Sequence, residues 1–286
     1  MKSFTPDFAW QDCRTLNEAL TLMAKKPGFF KPFAGGTDLM VLFEAGKLTP
    51  GNYLNLWNLA ELKNISVQKD HVAIGALSTY ADILADKTLT ERLPMLGEAA
   101  KLTGAAAIQN RGTIGGNIAN ASPAADTPPA LLVYDAKIEL VSLQGSRTLP
   151  YREFHLDYKK TAMRNDELIK AVHVPFLDAD YRQSYRKVGT RKAQAISKIC
   201  LASVFQVTAD KVIQDFRLAF ASVGPVPIFC PETAKAIIGE KVSAKLIDKA
   251  CSVLDREITP IDDIRSTKEY RLNVAKNLLC DLLGAI

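Results

Sequence analysis

The sequence predicts an α+β fold made of two successive domains. Strand-like and helix-like segments alternate in the first part of the chain, a pattern typical of an α/β region. After about residue 176 the composition changes. Three strand-like runs then follow one another without helices between them, which indicates an antiparallel meander. The boundary is therefore expected near 176–181, with domains at 1–176 and 177–286.

Capping signals and periodicity assign the elements of the first domain in order. Thr15 and Glu18 form a capping box for a helix that ends at Pro27-Gly28. An apolar run at 29–34 leads as a strand into a Gly-Gly turn, and a helix-like run follows until Gly46. Two α/β subdomains are expected, at about 1–57 and 58–176. Further strands are predicted at 53–57, 64–68, 72–76, 137–143, 148–150 and 167–175, helices at 79–86 and 94–103, and an irregular segment at 104–130.

The second domain is predicted to combine the meander with helices. In the last helix, one face is expected to pack on the sheet, and it consists of Tyr270, Val274, Leu278 and either Cys280 or Leu282. Pro225-Val226-Pro227 ends the meander, because proline cannot donate to a strand ladder. The strands are expected at 183–188, 197–208 and 212–223, and the helices at 231–239, 243–256 and 267–283.

Composition and charge argue against several classes of protein. The formal net charge of +5 comes from interspersed charged residues, and without a long basic block no nucleic-acid partner is expected. No apolar run reaches the length of a transmembrane helix, so no membrane partner and a cytoplasmic location are expected. The five cysteines are far apart and form no CxxC pair, so no metal or iron–sulfur site is predicted within this chain.

The turn at Ala34-Gly35-Gly36-Thr37-Asp38-Leu39 is the first candidate ligand site. Two adjacent glycines allow a sharp turn and let a ligand approach the backbone closely. Thr37 is expected to cap the following helix and to turn its first N–H groups outward, where they would bind an anion such as phosphate. The alternative is a tight strand-to-helix turn that binds no ligand.

A second Gly-Gly pair lies in Gln109-Asn110-Arg111-Gly112-Thr113-Ile114-Gly115-Gly116-Asn117. Backbone N–H groups in such a loop can form a nest for anionic oxygens. Asn117, Ser122 and Asp126 add donors and acceptors for hydroxyls and ring edges. Two such loops could hold a diphosphate from both sides, and the alternative is that they are two unrelated turns.

The most basic segment of the chain, 184–199, lies in the predicted meander. One interpretation is a solvated hairpin, and the other is a loop that places Lys187 and Arg191 near an electron-rich cofactor or an anionic ligand. Other nucleotide-binding and catalytic motifs are missing. The sequence has no GxGxxG after a strand, no Walker loop and no GxSxG nucleophile elbow.

Together these segments resemble the flavin-binding subunit of the molybdenum hydroxylase family, which includes xanthine dehydrogenase, carbon monoxide dehydrogenase and aldehyde- or nicotinate-type hydroxylases. The resemblance rests on the first Gly-Gly turn, the TIGGN run at 113–117, the SPAAD run at 122–126 and the segment 185–191, in that order and spacing. It extends to 266–271 and so covers almost the whole chain. Within the family, the pattern is most similar to bacterial xanthine dehydrogenase flavin subunits.

The resemblance implies a vanillyl-alcohol-oxidase-type fold, in which a two-part FAD-binding domain precedes a C-terminal domain with a three-stranded antiparallel sheet and helices. It implies that the two Gly-Gly loops wrap the FAD diphosphate and that Asp126 bonds the extended cofactor. Ile169 and Lys187 would border the isoalloxazine ring, where a cation at Lys187 would raise the flavin potential. Thr103 stands where some eukaryotic relatives have an aromatic residue. The implied FAD-binding residues are Phe33, Ala34, Gly35, Gly36, Thr37, Asp38, Leu39, Thr103, Thr113, Ile114, Gly115, Gly116, Asn117, Ser122, Asp126, Ile169 and Lys187.

The resemblance also implies work inside a larger enzyme. In the family, substrate is oxidised at molybdenum in a large subunit, electrons pass through two [2Fe–2S] clusters in a small subunit, and FAD then reduces NAD⁺ or another acceptor. The expected function is therefore FAD-dependent electron transfer in a molybdenum-containing hydroxylase, specifically a xanthine dehydrogenase, with molybdenum and clusters held by partner subunits. Quinone, ferredoxin and oxygen stay open as acceptors beside NAD⁺.

Three alternatives stay open. The first is the flavin subunit of a related hydroxylase of the carbon monoxide, aldehyde or nicotinate type. The second is a self-sufficient flavin oxidoreductase, which would need its own acid or base over the flavin, and the sequence offers no clear residue for that role. The third is a module that binds phosphate or a nucleotide without redox chemistry.

Overall fold

The structure is a computed structural model that describes residues 7–191 and 194–286. Its first sheet is parallel, and helices connect its strands in the alternation that the sequence predicts. Parallel neighbours require such crossover connections. The elements are β1 (Phe8–Asp12), α1 (Leu16–Lys25), β2 (Phe30–Phe33), α2 (Leu39–Glu44) and β3 (Gly51–Asn55), with the sheet order β1-β3-β2.

The second sheet is antiparallel, so the strand–helix alternation stops after β3. Its strands are β4 (Ile65–Val67), β5 (His71–Gly75), β6 (Lys137–Ser142), β7 (Gly145–Pro150) and, beyond a small hairpin of β8 (His155–Asp157) and β9 (Lys160–Thr161), β10 (Leu168–Pro175). The sheet order is β4-β5-β10-β6-β7.

A continuous run of helices lies between β5 and β6, and it corrects the prediction of an irregular segment at 104–130. Three of these helices fall in that segment, and they are only four to seven residues long. Helices this short give no clear 3.6-residue period, so sequence periodicity could not detect them. The run consists of α3 (Tyr80–Ala85), α4 (Lys87–Arg92), α5 (Pro94–Leu102), α6 (Ala106–Gln109), α7 (Ile114–Ala119) and α8 (Thr127–Val133).

The third sheet confirms the predicted antiparallel meander and adds a short fourth strand to it. The strands are β11 (Arg182–Val188), β12 (Ile199–Val207), β13 (Ile213–Ala221) and β14 (Ile228–Phe229), paired in that order. The helices that follow lie close to the three predicted ranges. They are α9 (Pro231–Ile237), α10 (Ala244–Glu257) and α11 (Lys268–Gly284).

Both faces of β12 are buried, and they belong to two different cores. Leu201 packs in the core formed with the C-terminal helices, whereas Ala202 and Val204 pack in the core of the preceding helices and second sheet. Every residue of α8 is buried, and α8 contacts β12 and β13. The third sheet therefore completes the core of the preceding region as well as its own.

The predicted buried face of α11 is partly wrong. Leu278 is buried and Val274 is partly buried as expected, but Tyr270 is 41% exposed. Arg271 is buried in its place, because its guanidinium donates to the Asp263 carboxylate at 2.7 Å and to the Ser222 carbonyl at 3.0 Å. Periodicity of apolar residues could not reveal a helix that buries an arginine.

A buried ion pair links the second sheet to the turn before β10 and provides a stability test. The Glu167 carboxylate accepts two hydrogen bonds from Arg147, at 2.6 and 2.8 Å, and one from the Arg164 N–H at 2.7 Å. The hydrogen bonds from Arg147 lower the pKa of Glu167. We expect Glu167→Gln to reduce the free energy of unfolding at neutral pH by about 1–3 kcal/mol.

The effect should depend on pH in one direction. A carboxyl with a lowered folded-state pKa stabilises the protein above its unfolded-state pKa, and this contribution is lost as the pH falls through the folded-state value. Urea unfolding should therefore separate wild type from Glu167→Gln at pH 7, and the difference should shrink towards acidic pH. Glu240→Gln, at the exposed pair with Lys249, is the control and should change little. An equal difference at all pH values would contradict the electrostatic explanation.

Candidate functional site

The first Gly-Gly turn joins β2 to α2, and its main chain is partly exposed. Gly36 adopts a φ of +75°, a conformation that favours glycine. Its carbonyl accepts from the Met40 N–H at 2.8 Å. The N-cap of α2 is Asp38 rather than Thr37, and no side chain caps this helix. The prediction that the Thr37 side chain caps the helix is therefore wrong.

The backbone N–H groups of this turn have no acceptor in the part of the chain that the structure describes. Within residues 7–191 and 194–286, no hydrogen bond uses the N–H groups of Gly35, Gly36, Thr37 or Asp38. The three residues 35–37 are partly exposed. A run of unbonded, accessible N–H groups at a glycine turn can donate hydrogen bonds to anionic oxygens of a ligand.

The second Gly-Gly loop uses its N–H groups inside the protein. The Ile114 N–H donates to the Ser78 carbonyl at 3.0 Å, and the Gly115 N–H donates to the Ala76 carbonyl at 2.8 Å. The Gly116 N–H donates to the Thr113 hydroxyl at 3.0 Å, so Thr113 caps α7. The N–H groups of Ile114, Gly115 and Gly116 are therefore bonded within the protein, and the predicted anion nest does not have these three as free donors. These hydrogen bonds fix the second loop to the segment that follows β5.

The two Gly-Gly loops lie against each other, as a joint site requires. A Cβ atom on Gly35 would stand 1.6 Å from the Arg111 carbonyl oxygen, and one on Gly116 would stand 3.9 Å from the Cβ of Ala34. Gly115 is just as constrained, because its Cβ would lie 2.6 Å from that of Ala76. Only glycine therefore permits this close contact between the backbones.

Asp126 and Lys187 form a buried ion pair that joins the two predicted domains. The Lys187 ammonium donates to the Asp126 carboxylate at 2.7 Å and to the Leu102 carbonyl at 2.9 Å. The two side chains are only 6% and 9% exposed. The Asp126 carboxylate also accepts from the Ser197 hydroxyl at 2.5 Å and lies 3.2 Å from the Thr103 hydroxyl. We call these four side chains, of Thr103, Asp126, Lys187 and Ser197, the Asp126 cluster.

Burial dominates the electrostatics of this cluster. It raises the pKa of the Asp126 carboxyl above the ordinary value, because the charged form loses its water. The Lys187 ammonium and the hydroxyls of Ser197 and Thr103 act against that rise. Tyr185 holds the main chain at the same place, since its hydroxyl donates to the Asp126 carbonyl at 2.9 Å. The cluster is thus tied to both sides of the junction.

The basic segment 184–199 divides into two environments. Lys187 lies on β11 and points into the Asp126 cluster, so the interpretation as a solvated hairpin fails for it. Arg191 lies in the exposed turn that follows and donates to the Gln194 carbonyl. Residues 192 and 193 of this segment lie outside the described residues.

The remaining predicted residues serve local structure. The Asn117 side chain accepts from the Thr127 hydroxyl at 2.5 Å and joins α7 to α8. The Ser122 hydroxyl accepts from the Ala124 N–H at 3.3 Å. Ile169 is buried in the core beside β6. Phe33 packs edge-on against Trp10, and Leu39 begins α2.

Sequence reasoning missed several residues around the loops. Arg111 stacks on Trp57 and contacts the first loop, and Ser197 binds Asp126. Lys159 donates to the carbonyl and the side chain of Asn120 at 2.7 Å. Burial lowers the pKa of its ammonium, and the charge of Asp38 acts against that fall. Arg111 stands inside the quoted Gly-Gly motif, which was a signal for it. Ser197 lies in the basic segment 184–199, but its partner Asp126 is far away in sequence, and nothing in the pattern pointed to Lys159.

Two other features are absent from the described part of the chain. No group of three His, Cys, Asp or Glu side chains there could hold a metal ion. No helix among those residues is both long and apolar enough to cross a membrane.

Known families and proteins match almost the whole chain. Residues 6–177 match the family described as the FAD binding domain in molybdopterin dehydrogenase, and residues 183–286 match the CO dehydrogenase flavoprotein C-terminal domain. The glyceraldehyde dehydrogenase medium chain of Sulfolobus acidocaldarius is 32% identical, with 96% of each chain covered. The putative xanthine dehydrogenase FAD-binding subunit of Escherichia coli is 30% identical, covering 95% of this chain and 94% of that protein.

A solved structure has the same fold. In the carbon monoxide dehydrogenase of Hydrogenophaga pseudoflava, a chain that is 25% identical superposes with a TM-score of 0.91, with 96% of each chain covered. The two-domain FAD-binding fold expected from the sequence is thereby confirmed. The match to the FAD-binding family model identifies FAD as the cofactor of this chain. The chain therefore belongs to the FAD-binding medium subunits of the molybdenum hydroxylase family and is a component of an oxidoreductase.

Proposed function

We propose that this chain binds the FAD diphosphate between its two Gly-Gly loops and passes electrons from a partner's iron–sulfur clusters to NAD⁺ or another acceptor. The observation that carries the proposal is the run of N–H groups at Gly35–Asp38 that have no acceptor among the described residues. It lies beside a second loop in which the N–H groups of Ile114, Gly115 and Gly116 are bonded inside the protein. One loop offers donors to the ligand, and the other offers a fixed surface. The proposed site uses the two loops that the sequence predicts, and its main-chain N–H donors to the ligand are those of the first loop.

The first loop fits a diphosphate on chemical grounds. Four neighbouring backbone donors suit the several acceptor oxygens of that group, and the lack of a Cβ at two of them allows close approach. When bound, FAD supplies the reversible redox chemistry, while the protein supplies binding, orientation and electrostatics. In this proposal Thr113, Asn117 and Ser122 keep the opposite wall rigid through their own hydrogen bonds.

In this proposal the isoalloxazine ring of FAD lies near the Asp126 cluster and Ile169. The family resemblance supports this assignment, and so does the concentration of buried charge where the predicted domains meet. Lys187 is not an isolated cation there, because Asp126 balances its charge. Its influence on the flavin therefore depends on the geometry of the pair.

The large molybdenum subunit and the small iron–sulfur subunit are the proposed partners. The medium-chain relatives support this, since their names describe components of larger enzymes. We propose xanthine as the substrate of the complex, supported by the similarity to the Escherichia coli subunit. An aldehyde is the second candidate, favoured by the similarity to the glyceraldehyde dehydrogenase medium chain. A cytoplasmic location is part of the proposal and agrees with five free cysteines.

The partner and substrate assignments can be tested on one preparation. A tagged chain expressed in its native host should copurify with a molybdenum subunit and an iron–sulfur subunit. The purified complex should then bleach its flavin on addition of xanthine, and glyceraldehyde is the comparison substrate. Bleaching by glyceraldehyde alone would replace the xanthine assignment, and a chain that purifies alone would contradict the complex.

Substitution of Gly35 tests the loop site. Gly35→Ala would force a Cβ into the Arg111 carbonyl and push the loops apart, so we expect FAD to bind about tenfold more weakly or worse. Gly97→Ala is the matched control, because a Cβ there meets only ordinary contacts in α5. Quenching of flavin fluorescence on titration into the apoprotein measures both affinities. Unchanged FAD binding by Gly35→Ala would contradict the loop site, and a wild-type protein that binds no FAD would contradict the proposed function itself.

The Asp126–Lys187 pair should affect stability and flavin potential in different ways. Asp126→Asn leaves a buried ammonium without its partner, so we expect it to cost about 3–5 kcal/mol in the free energy of unfolding. The double variant Asp126→Asn/Lys187→Met should recover part of that loss. For the holoprotein, Lys187→Met should lower the flavin midpoint potential by removing a nearby positive charge. Lys170→Met, at the more exposed pair with Glu139, is the control. If Lys187→Met changes stability but leaves the potential unchanged, the residue is only structural.

A further inference from the structure

Arg111 contacts the first Gly-Gly loop with both its main chain and its side chain. Its carbonyl oxygen occupies the space where a Gly35 side chain would be, and its Nε donates to the Gly35 carbonyl at 3.4 Å. Arg111 itself belongs to the segment that leads into the second loop. One residue of the second loop therefore reaches the first loop from two directions.

The guanidinium of Arg111 is held in place by an aromatic ring. Its Cζ atom lies 3.7 Å from the centroid of the Trp57 ring, the distance of a stacked cation–π contact. Trp57 lies two residues after the end of β3, and its main-chain N–H donates to the Asn55 side chain at 3.1 Å. The first loop follows β2, which pairs with β3. The stack thus anchors Arg111 to the sheet from which the first loop emerges.

We infer that Arg111 is a positioning residue that sets the spacing between the two Gly-Gly loops. It acts through Trp57 and the Gly35 carbonyl rather than as a charge on the ligand, because Trp57 covers its planar face and Gly35 takes its Nε–H. The inference rests on the proposed function, in which the open N–H groups of the first loop hold the FAD diphosphate. A small widening between the loops then weakens every one of those contacts together.

The expected effect on affinity is moderate, because Arg111 is exposed and its hydrogen bond is long. Loss of an exposed cation–π contact and one weak hydrogen bond should weaken FAD binding about five- to tenfold. Thermal stability should change little, since surface contacts of this kind contribute little to folding. Weaker FAD binding with little change in thermal stability is therefore the result expected of a positioning residue.

Four single variants of the intact chain test the inference by titration of FAD into apoprotein. Arg111→Met and Trp57→Leu should each weaken FAD binding, and the double variant should lose no more than the weaker-binding single variant. Arg111→Lys keeps the charge but not the planar stack, so it should not restore the affinity. Arg92→Met is the matched control, because Arg92 stacks on Phe176 at the same 3.7 Å and should retain wild-type affinity.

The outcomes separate three explanations. Full affinity in Arg111→Lys together with full affinity in Trp57→Leu would identify Arg111 as a direct charge contact to the phosphate and overturn the positioning role. Wild-type affinity in Arg111→Met would overturn any role for the residue. Arg111→Met could lower both the melting temperature and the FAD affinity relative to wild type, while Arg92→Met lowers neither. The effect is then general destabilisation, and the inference fails. A wild-type chain that binds no FAD overturns the proposed function, and the inference fails with it.

Discussion

The buried carboxylate of Asp126 is the interaction on which the arrangement of the two predicted domains depends. A charge at this depth is stable only with its partners in place, and here they come from both sides. Thr103 belongs to the helical region, Lys187 to β11 and Ser197 to the connection between β11 and β12. A shift of one side relative to the other would leave a charge unpaired. The cluster therefore specifies one relative placement, where an apolar interface alone would tolerate several.

The two Gly-Gly loops share a motif but differ in their hydrogen bonding. In the second loop, the segment that follows β5 accepts the Ile114 and Gly115 N–H groups, and Thr113 accepts that of Gly116. The first loop has donors left over and is held from behind by the Arg111 backbone. A ligand that binds here orders little of the protein, since the rigid side already exists. Such preorganisation improves affinity by reducing the entropy that binding must overcome.

Local patterns made much of this architecture predictable. The meander, the long helices and the two glycine pairs follow from periodicity and from the conformational freedom of glycine. The roles of individual N–H groups did not follow, because the Gly115 N–H is accepted by Ala76, far away in sequence. Arg271 was missed for the same reason, since its burial depends on Asp263 and on carbonyls of other elements. Sequence thus predicted which segments matter, while the distribution of polar partners required three dimensions.

The double burial of β12 has a consequence for how this chain can be divided. A cut at the predicted boundary would strip the cover from α8, every residue of which is buried, and would expose the apolar side of the strand that includes Ala202 and Val204. The flavin-binding half is therefore not an independent cassette that could be moved between proteins. The two domains share one core and therefore fold as one unit. Chimeras between relatives should exchange the whole chain rather than one domain.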